Sequence, residues 1–202
     1  MKTLQTLRLI AASMMASTAF ASDFSFDRPG AGIGTGITPV GQLAWEQGLP
    51  SVSYQQENVA GKHDKTLTLN GDMLLRTGLA NGLELQLGWE GPVWQQHKYA
   101  GSKTETNGLG DVSIGLKKAI DLDDDKLSMA LLAEAIIATG NDEFTAHDDI
   151  YSLTSAVSYE FSDLINTSIT MRYEAQDSNW AVTAVPTLGY KIAGKLSGWL
   201  VE

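Results

Sequence analysis

The chain has no cysteine and only three histidines in 202 residues. The first absence excludes disulfide support, thiol catalysis and cysteine-based metal sites. The second leaves few general bases. His63, His97 and His147 all fall in segments that read as loops, and none sits beside a serine on a strand face. A membrane-embedded lipid hydrolase would need such a pair, so this weakest of three functional readings lacks a nucleophile and base, and no catalytic residue is assigned. Positive charge is also scarce: 14 Lys+Arg against 24 Asp+Glu give a net charge of -10. Such a chain is a poor partner for nucleic acid, itself a polyanion. Finally, no apolar run beyond Ala21 is long enough for a transmembrane helix. Period, not hydrophobic content, must therefore decide the class, because a membrane β-strand is apolar only at every second position.

The N-terminus decides the compartment. Lys2 and Arg8 form a basic start, Leu9 to Ala19 is mainly small and apolar, and Ala19-Phe20-Ala21 is an A-x-A cleavage site. Residues 1–21 read as a cleaved secretory signal peptide. Its removal leaves 12 cationic residues against 24 acidic ones, a net charge of -12. Residues 22–39 follow as a Gly-rich segment, with Gly30, Gly32, Gly34 and Gly36 at every second position. A phosphate loop would need a strand before it and a helix after it, and neither context is present. The segment reads either as a flexible periplasmic N-terminus or as a small plug entering a lumen.

From residue 40 onward the pattern has period two. Leu67, Leu69, Gly71, Met73 and Leu75 alternate with Thr66, Thr68, Asn70, Asp72 and Arg76; Leu74 is the one exception. Leu83, Leu85, Leu87 and Trp89 alternate with Glu84, Gln86, Gly88 and Glu90. Similar alternation marks 111–117, 126–138, 151–161, 165–174 and 180–190, with 40–49 opening the series. Successive strand side chains point to opposite faces, so each segment presents one apolar and one polar face. Between the first two segments, Ala80-Asn81-Gly82 is expected to form a three-residue loop pairing Leu79 with Leu83. That register keeps both apolar sets on one face.

Strand length, connection rhythm and aromatic placement favour a membrane barrel over a soluble sandwich. The strands run to about ten residues or more, as tilted membrane strands require. Residues 50–65, 91–107, 139–149 and 175–179 read as longer or more polar connections, and 80–82, 121–125, 162–164 and 193–195 as short turns. Long outer loops alternating with short periplasmic turns are the rhythm of outer-membrane barrels. Trp89, Tyr151, Tyr159, Phe161, Tyr173, Trp180 and Tyr190 stand near strand ends on the apolar face, as a membrane-interface girdle would. The fold expected is all-β, an antiparallel up-and-down transmembrane β-barrel over residues 40–202. Eight full strands and the start of a ninth are legible. Since bacterial barrels use an even number, about 10–12 strands are expected in a complete form, with this chain ending inside the ninth.

If the apolar face meets lipid, Asp72, Arg76, Glu84, Glu90, Asp111, Lys117, Glu134, Glu160, Arg172 and Glu174 line the lumen. Arg76 falls opposite Gln86 and diagonal to Glu84, within reach for a charge pair. Inward charges either pair and fill a small barrel or line a wet path and set selectivity. Three basic residues against seven acidic ones predict weak cation preference if the path is open. The acidic cluster Asp121, Asp123, Asp124 and Asp125 lacks EF-hand spacing and reads as a solvated turn. No metal site and no cofactor are expected. The partners expected are outer-membrane lipid and a small solute.

The stretch Gly108-Leu109-Gly110-Asp111-Val112-Ser113-Ile114-Gly115-Leu116-Lys117 resembles the outer-membrane family described as the MetA-pathway of phenol degradation. There a Gly-rich stretch ending in Gly-Asp opens a strand that runs to Gly-Leu-Lys. Ala138-Thr139-Gly140-Asn141 resembles that family's Pro-Thr-Gly strand end, with Ala138 in place of its usual proline. The Gly-rich run at 30–36 also fits. The resemblance covers most of the mature chain. Members usually continue to further strands and an aromatic C-terminus. The resemblance implies an outer-membrane channel, with aromatic or other poorly polar compounds as the solutes to consider. A filled structural or surface-interaction barrel without transport is the alternative.

Overall fold

The computed structural model describes residues 27, 32–47, 50–193 and 196–201. The segment expected to be a signal peptide, residues 22–26 and 28–31 of the Gly-rich segment and residues 194–195 of the last expected turn lie outside the described residues. Thirteen strands follow one another: β1 (Leu43–Gln47), β2 (Ser51–Val59), β3 (Lys62–Asn70), β4 (Met73–Ala80), β5 (Leu83–Trp89), β6 (Pro92–Tyr99), β7 (Ser102–Leu109), β8 (Val112–Ile120), β9 (Leu127–Ile137), β10 (Ile150–Ser162), β11 (Ile165–Gln176), β12 (Asn179–Ala193) and β13 (Leu196–Val201). All pair antiparallel. The chain is all-β, and no helix occurs among the described residues.

Two sheets result, ordered β1-β4-β5-β8-β9-β10-β11-β12-β13 and β2-β3-β6-β7. They are one up-and-down meander cut across. β3 continues into β4 past Gly71-Asp72, β5 into β6 past Glu90-Gly91, and β7 into β8 past Gly110-Asp111. Backbone hydrogen bonds hold the cut together: Gly71 N–H to Pro92 O at 3.1 Å, Glu90 N–H to Asp111 O at 2.9 Å and Gly110 N–H to Gly91 O at 2.9 Å. The larger sheet holds nine strands, the number legible in the alternation. Strands β1 and β13 end the larger sheet and are not paired with each other among the described residues, so the barrel is not closed.

The structure corrects several expectations. Residues 50–65 and 91–107 are not loops; they form β2 with the start of β3, and β6 with most of β7. Each pair is a hairpin closed by Ala-Gly with positive φ at both residues, Ala60 (50°) and Gly61 (75°), then Ala100 (52°) and Gly101 (88°). That turn matches the strand twist, so polar residues such as Thr66, Gln95 and Thr106 can extend the ladder instead of looping out. His63 and His97 consequently lie on strands, while His147 lies in the 138–149 connection. Residues 175–179 hold a tight turn, since Gln176 pairs with Asn179.

The Asn81-Gly82 turn pairs Ala80, not Leu79, with Leu83. A one-residue shift between Gly78 and Ala80 then restores the expected face, and Arg76 lies opposite Gln86. Matching shifts follow in the β10–β11 and β12–β13 hairpins, between Glu160 and Ser162 and between Lys191 and Ala193. A bulge absorbs one residue and lets a short turn coexist with a fixed face.

Two neighbouring rows across the sheet display the sorting. One reads Trp45, Leu75, Leu87, Ile114, Ala135, Tyr151, Ala175, Trp180. The next reads Ala44, Arg76, Gln86, Gly115, Glu134, Ser152, Glu174. Side chains of the first row stand on the exposed face, with Trp45 at 65 %, Tyr151 at 59 % and Trp180 at 79 % exposure. Those of the second face the other way, where Arg76 is at 0 %.

Candidate functional site

The polar face carries a buried ion cluster. Arg76 on β4 donates from Nε to Glu84 Oε1 at 2.8 Å and from Nη2 to Glu84 Oε2 at 3.0 Å. This two-point grip suits the planar guanidinium. Nη1 donates to Glu46 Oε1 on β1 at 2.7 Å and lies 3.4 Å from Asp27 Oδ2. Lys117 on β8 donates to Asp27 Oδ2 at 3.0 Å. Gln86 Nε2 donates to Glu84 Oε1 at 2.7 Å. Every member is at most 8 % exposed. Three carboxylates thus enclose two cations. Charges at this depth persist because each is paired and hydrogen-bonded; removing one partner would strand the others.

The N-terminal segment completes the cluster. Thr38 donates its backbone N–H to Glu84 Oε2 and its hydroxyl to the same oxygen at 2.6 Å. Gly36 O accepts from Arg76 Nη2 at 3.2 Å. Gly34 N–H donates to Asp27 Oδ1 at 2.7 Å, and Asp27 N–H to Glu46 Oε2 at 3.1 Å. Thr35 Oγ1 bonds Ser128 Oγ on β9 at 2.8 Å, and Ile33 O accepts from Thr170 Oγ1 on β11 at 3.3 Å. Residues 32–38 therefore form a strap across the polar face from β4 to β11. Gly78 makes room for it: a Cβ there would run into Thr38 O and Pro39.

A second, half-open group lies on β9 to β11. Arg172 Nη2 is 3.2 Å from Glu134 Oε2, and its Nε is 3.0 Å from Glu174 Oε1 without hydrogen-bond alignment. Their side chains keep 32 %, 14 % and 30 % of their surface. Ser152 Oγ and Thr154 Oγ1 beside them are buried and have no hydrogen-bond partner among the described residues.

A third group ties down the 138–149 connection. Asp111 Oδ1 accepts from Thr139 N–H at 2.9 Å and Gly140 N–H at 2.7 Å, and Oδ2 from Ala146 N–H at 2.7 Å. Burial alone would raise this carboxyl. The amides of Ala146, Gly140 and Thr139 and the Thr145 side chain outweigh burial and hold it below the usual aspartate range.

The ten acidic and basic residues picked from the alternation thus separate. Arg76, Glu84 and Lys117 join the closed cluster; Glu134, Arg172 and Glu174 form the half-open one. Asp111 serves the connection, and Glu90, exposed, accepts from Asp111 N–H at 3.3 Å. Asp72 sits half-buried in the cut between β3 and β4, and Glu160 is exposed at the opposite end of β10. Asp27, Thr38 and Glu46 complete the cluster from outside that set. Glu46 had a signal, the alternation Leu43-Ala44-Trp45-Glu46. Asp27 and Thr38 had none, since they lie in aperiodic chain.

The aromatic set divides between strand ends. Trp89, Tyr151, Tyr173 and Trp180 lie toward the 138–149 end, and Tyr159, Phe161 and Tyr190 toward the other. Tyr173 pairs with Val182, which leaves Trp180 diagonal to it. Tyr159 and Phe161 meet edge to face at 4.9 Å. His97 Nε2 contacts Asp64 Oδ1 at 2.6 Å, and His63 Nδ1 contacts Gln56 Nε2 at 3.4 Å. Asp121 and Asp124 accept backbone N–H groups within their own turn at 3.1 and 2.8 Å.

A family model described as "Putative MetA-pathway of phenol degradation" matches residues 26–200. No curated protein and no solved structure matches the chain.

Proposed function

The chain belongs to the MetA-pathway of phenol degradation family, and on that premise we propose that it is an outer-membrane β-barrel channel. It passes small solutes, aromatic or hydrophobic ones among them, down their gradients. The observation that carries this reading is the inverted burial: Trp45, Ile114, Leu153 and Val182 are exposed across one face while Arg76, Glu84 and Lys117 are fully buried on the other. Water would penalise that exposed face; lipid would solvate it.

Two lengths support the reading. From Tyr151 to Phe161 the strand advances about 33 Å, which at a tilt of about 40° spans about 25 Å, the height of an apolar barrel belt. The strap must also reach from Thr38 at β5 to Ile33 at β11. That is about 17 Å of extended chain, against about 19 Å across a flat sheet of these strands. In this reading the sheet curls around the strap, the polar face is a lumen and the strap its plug.

In this reading residues 1–21 direct export and are cleaved. The aromatic sets sit at the two interfaces, and the β2-β3-β6-β7 sheet stands beyond the outer one. Lipid and a small solute are the partners; no catalytic step, cofactor or nucleic acid is assigned. The closed cluster under the strap favours a second reading, a filled barrel whose exposed strands and loops do the work.

Swelling and conductance of liposomes holding the folded, inserted chain separate the two. A channel gives barrel-dependent flux and weak cation preference, and Glu134→Lys shifts its reversal potential toward anions. Tight liposomes with inserted protein sink the channel and leave the filled barrel.

A further inference from the structure

Strands β9, β10 and β11 place six polar-face positions in two adjoining rows. Glu134, Ser152 and Glu174 form one; Leu132, Thr154 and Arg172 form the other. Arg172 reaches from β11 to Glu134 on β9, so its guanidinium passes over the β10 hydroxyls between them. Ser152 is 9 % exposed and Thr154 2 %. Their hydroxyl oxygens and Arg172 Nε are the buried side-chain polar atoms without a hydrogen-bond partner among the described residues.

A buried polar group left unpaired costs about 1–3 kcal/mol. Two such hydroxyls together, beside an Nε that faces Glu174 Oε1 out of hydrogen-bond alignment, are poorly explained as packing. Among the described residues the strap's contact nearest to them is Ile33 O with Thr170 Oγ1, and Arg172, Glu134 and Glu174 keep part of their surface while the Arg76 cluster is buried. Glu134 and Glu174 outnumber Arg172, which disfavours an anion.

We infer that Ser152, Thr154 and Arg172 form a binding position for a small uncharged solute bearing oxygen acceptors, beside the half-exposed Arg172, Glu134 and Glu174 of the polar face. A shift of the half-exposed guanidinium uncovers the two hydroxyls, which donate with Nε to the solute oxygens, and Glu134 and Glu174 keep the guanidinium beside them and repel carboxylates. Its role as a step on a permeation path rests on the channel reading above; its ligand chemistry does not.

The test compares the chain with Ser152→Ala/Thr154→Val. This variant deletes two unpaired hydroxyls and should fold as well or better, which heat-modified gel mobility checks. In proteoliposomes, entry of erythritol, an uncharged polyol, should slow about threefold or more. Conductance in tetramethylammonium chloride, whose cation has no acceptor oxygen, should change by less than twofold. Unchanged erythritol entry through a conducting barrel overturns the site and leaves the channel standing. If neither form conducts, the channel reading fails, and amide exchange of the micelle-bound chain decides the site. Erythritol slowing exchange across 152–154 and 172, only with the hydroxyls present, sustains it; no slowing overturns it.

Discussion

Asp111 and Arg76 show how two polar positions of one strand-like pattern can take different work. The alternation places both on the inward polar face. Arg76 keeps its place in the β4 ladder and binds Glu84 and Glu46 across strands. Asp111 falls where β7 and β8 are cut, and its oxygens turn to three amides of the next connection. Because its carboxyl is held below the usual range, folding favours the ionised form. The stabilisation is complete above the ordinary aspartate value of 3.8 and is lost as pH falls through the lower folded value. Hydrogen exchange at Thr139, Gly140 and Ala146, corrected for intrinsic rates, should stay slow to pH 4 and quicken only below it. Asp111→Asn should quicken the same amides about tenfold or more at pH 7, since the amide cannot accept at both former oxygens. Slow exchange in that variant would show that the connection holds itself.

At the scale of the element, the strap and the turns decide whether faces stay sorted. The strap's passage over β4 depends on Gly78, which any side chain would convert into a clash with Thr38 and Pro39. Gly78→Val should displace residues 32–39 and release the Thr38–Glu84 bonds, at a cost of about 1–3 kcal/mol for overpacking. Limited proteolysis should then cut within 32–39 several times faster while the sheet keeps its mobility on unheated gels. Cleavage at the parent rate would mean that the strap is anchored by its polar contacts alone. The hairpin turns carry a related lesson. Sequence spacing and face sorting demanded an odd loop at Ala80-Asn81-Gly82. The chain meets the demand with a bulge beside a two-residue turn, Gly82 supplying the positive φ of 67°.

The whole molecule is sorted inside out with respect to water. Ala184 on β12 lies midway between Trp180 and Tyr190 and is exposed. In a bilayer, Ala184→Arg would place a charge near the midplane and cost about 2–4 kcal/mol. An exposed strand position in water tolerates the same change within about 0.5 kcal/mol. Guanidinium titration of the chain folded in phospholipid vesicles measures the difference, and a cost within about 0.5 kcal/mol would argue against a membrane face. The alternation alone determined the all-β class, the nine strands of the larger sheet, the apolar and polar faces, and the Arg76–Glu84 pair. It could do so because strand side chains keep an exact period of two, so composition at each position records its environment. Tertiary structure alone decided that polar residues 50–65 and 91–107 extend the ladder, since pairing depends on a partner strand and not on local hydrophobicity. It also decided that Asp27 and Thr38 seal the ion cluster. Their segment has no apolar–polar alternation to read, and the charges that β1, β4, β5 and β8 bring together fix Asp27 and Thr38 in place.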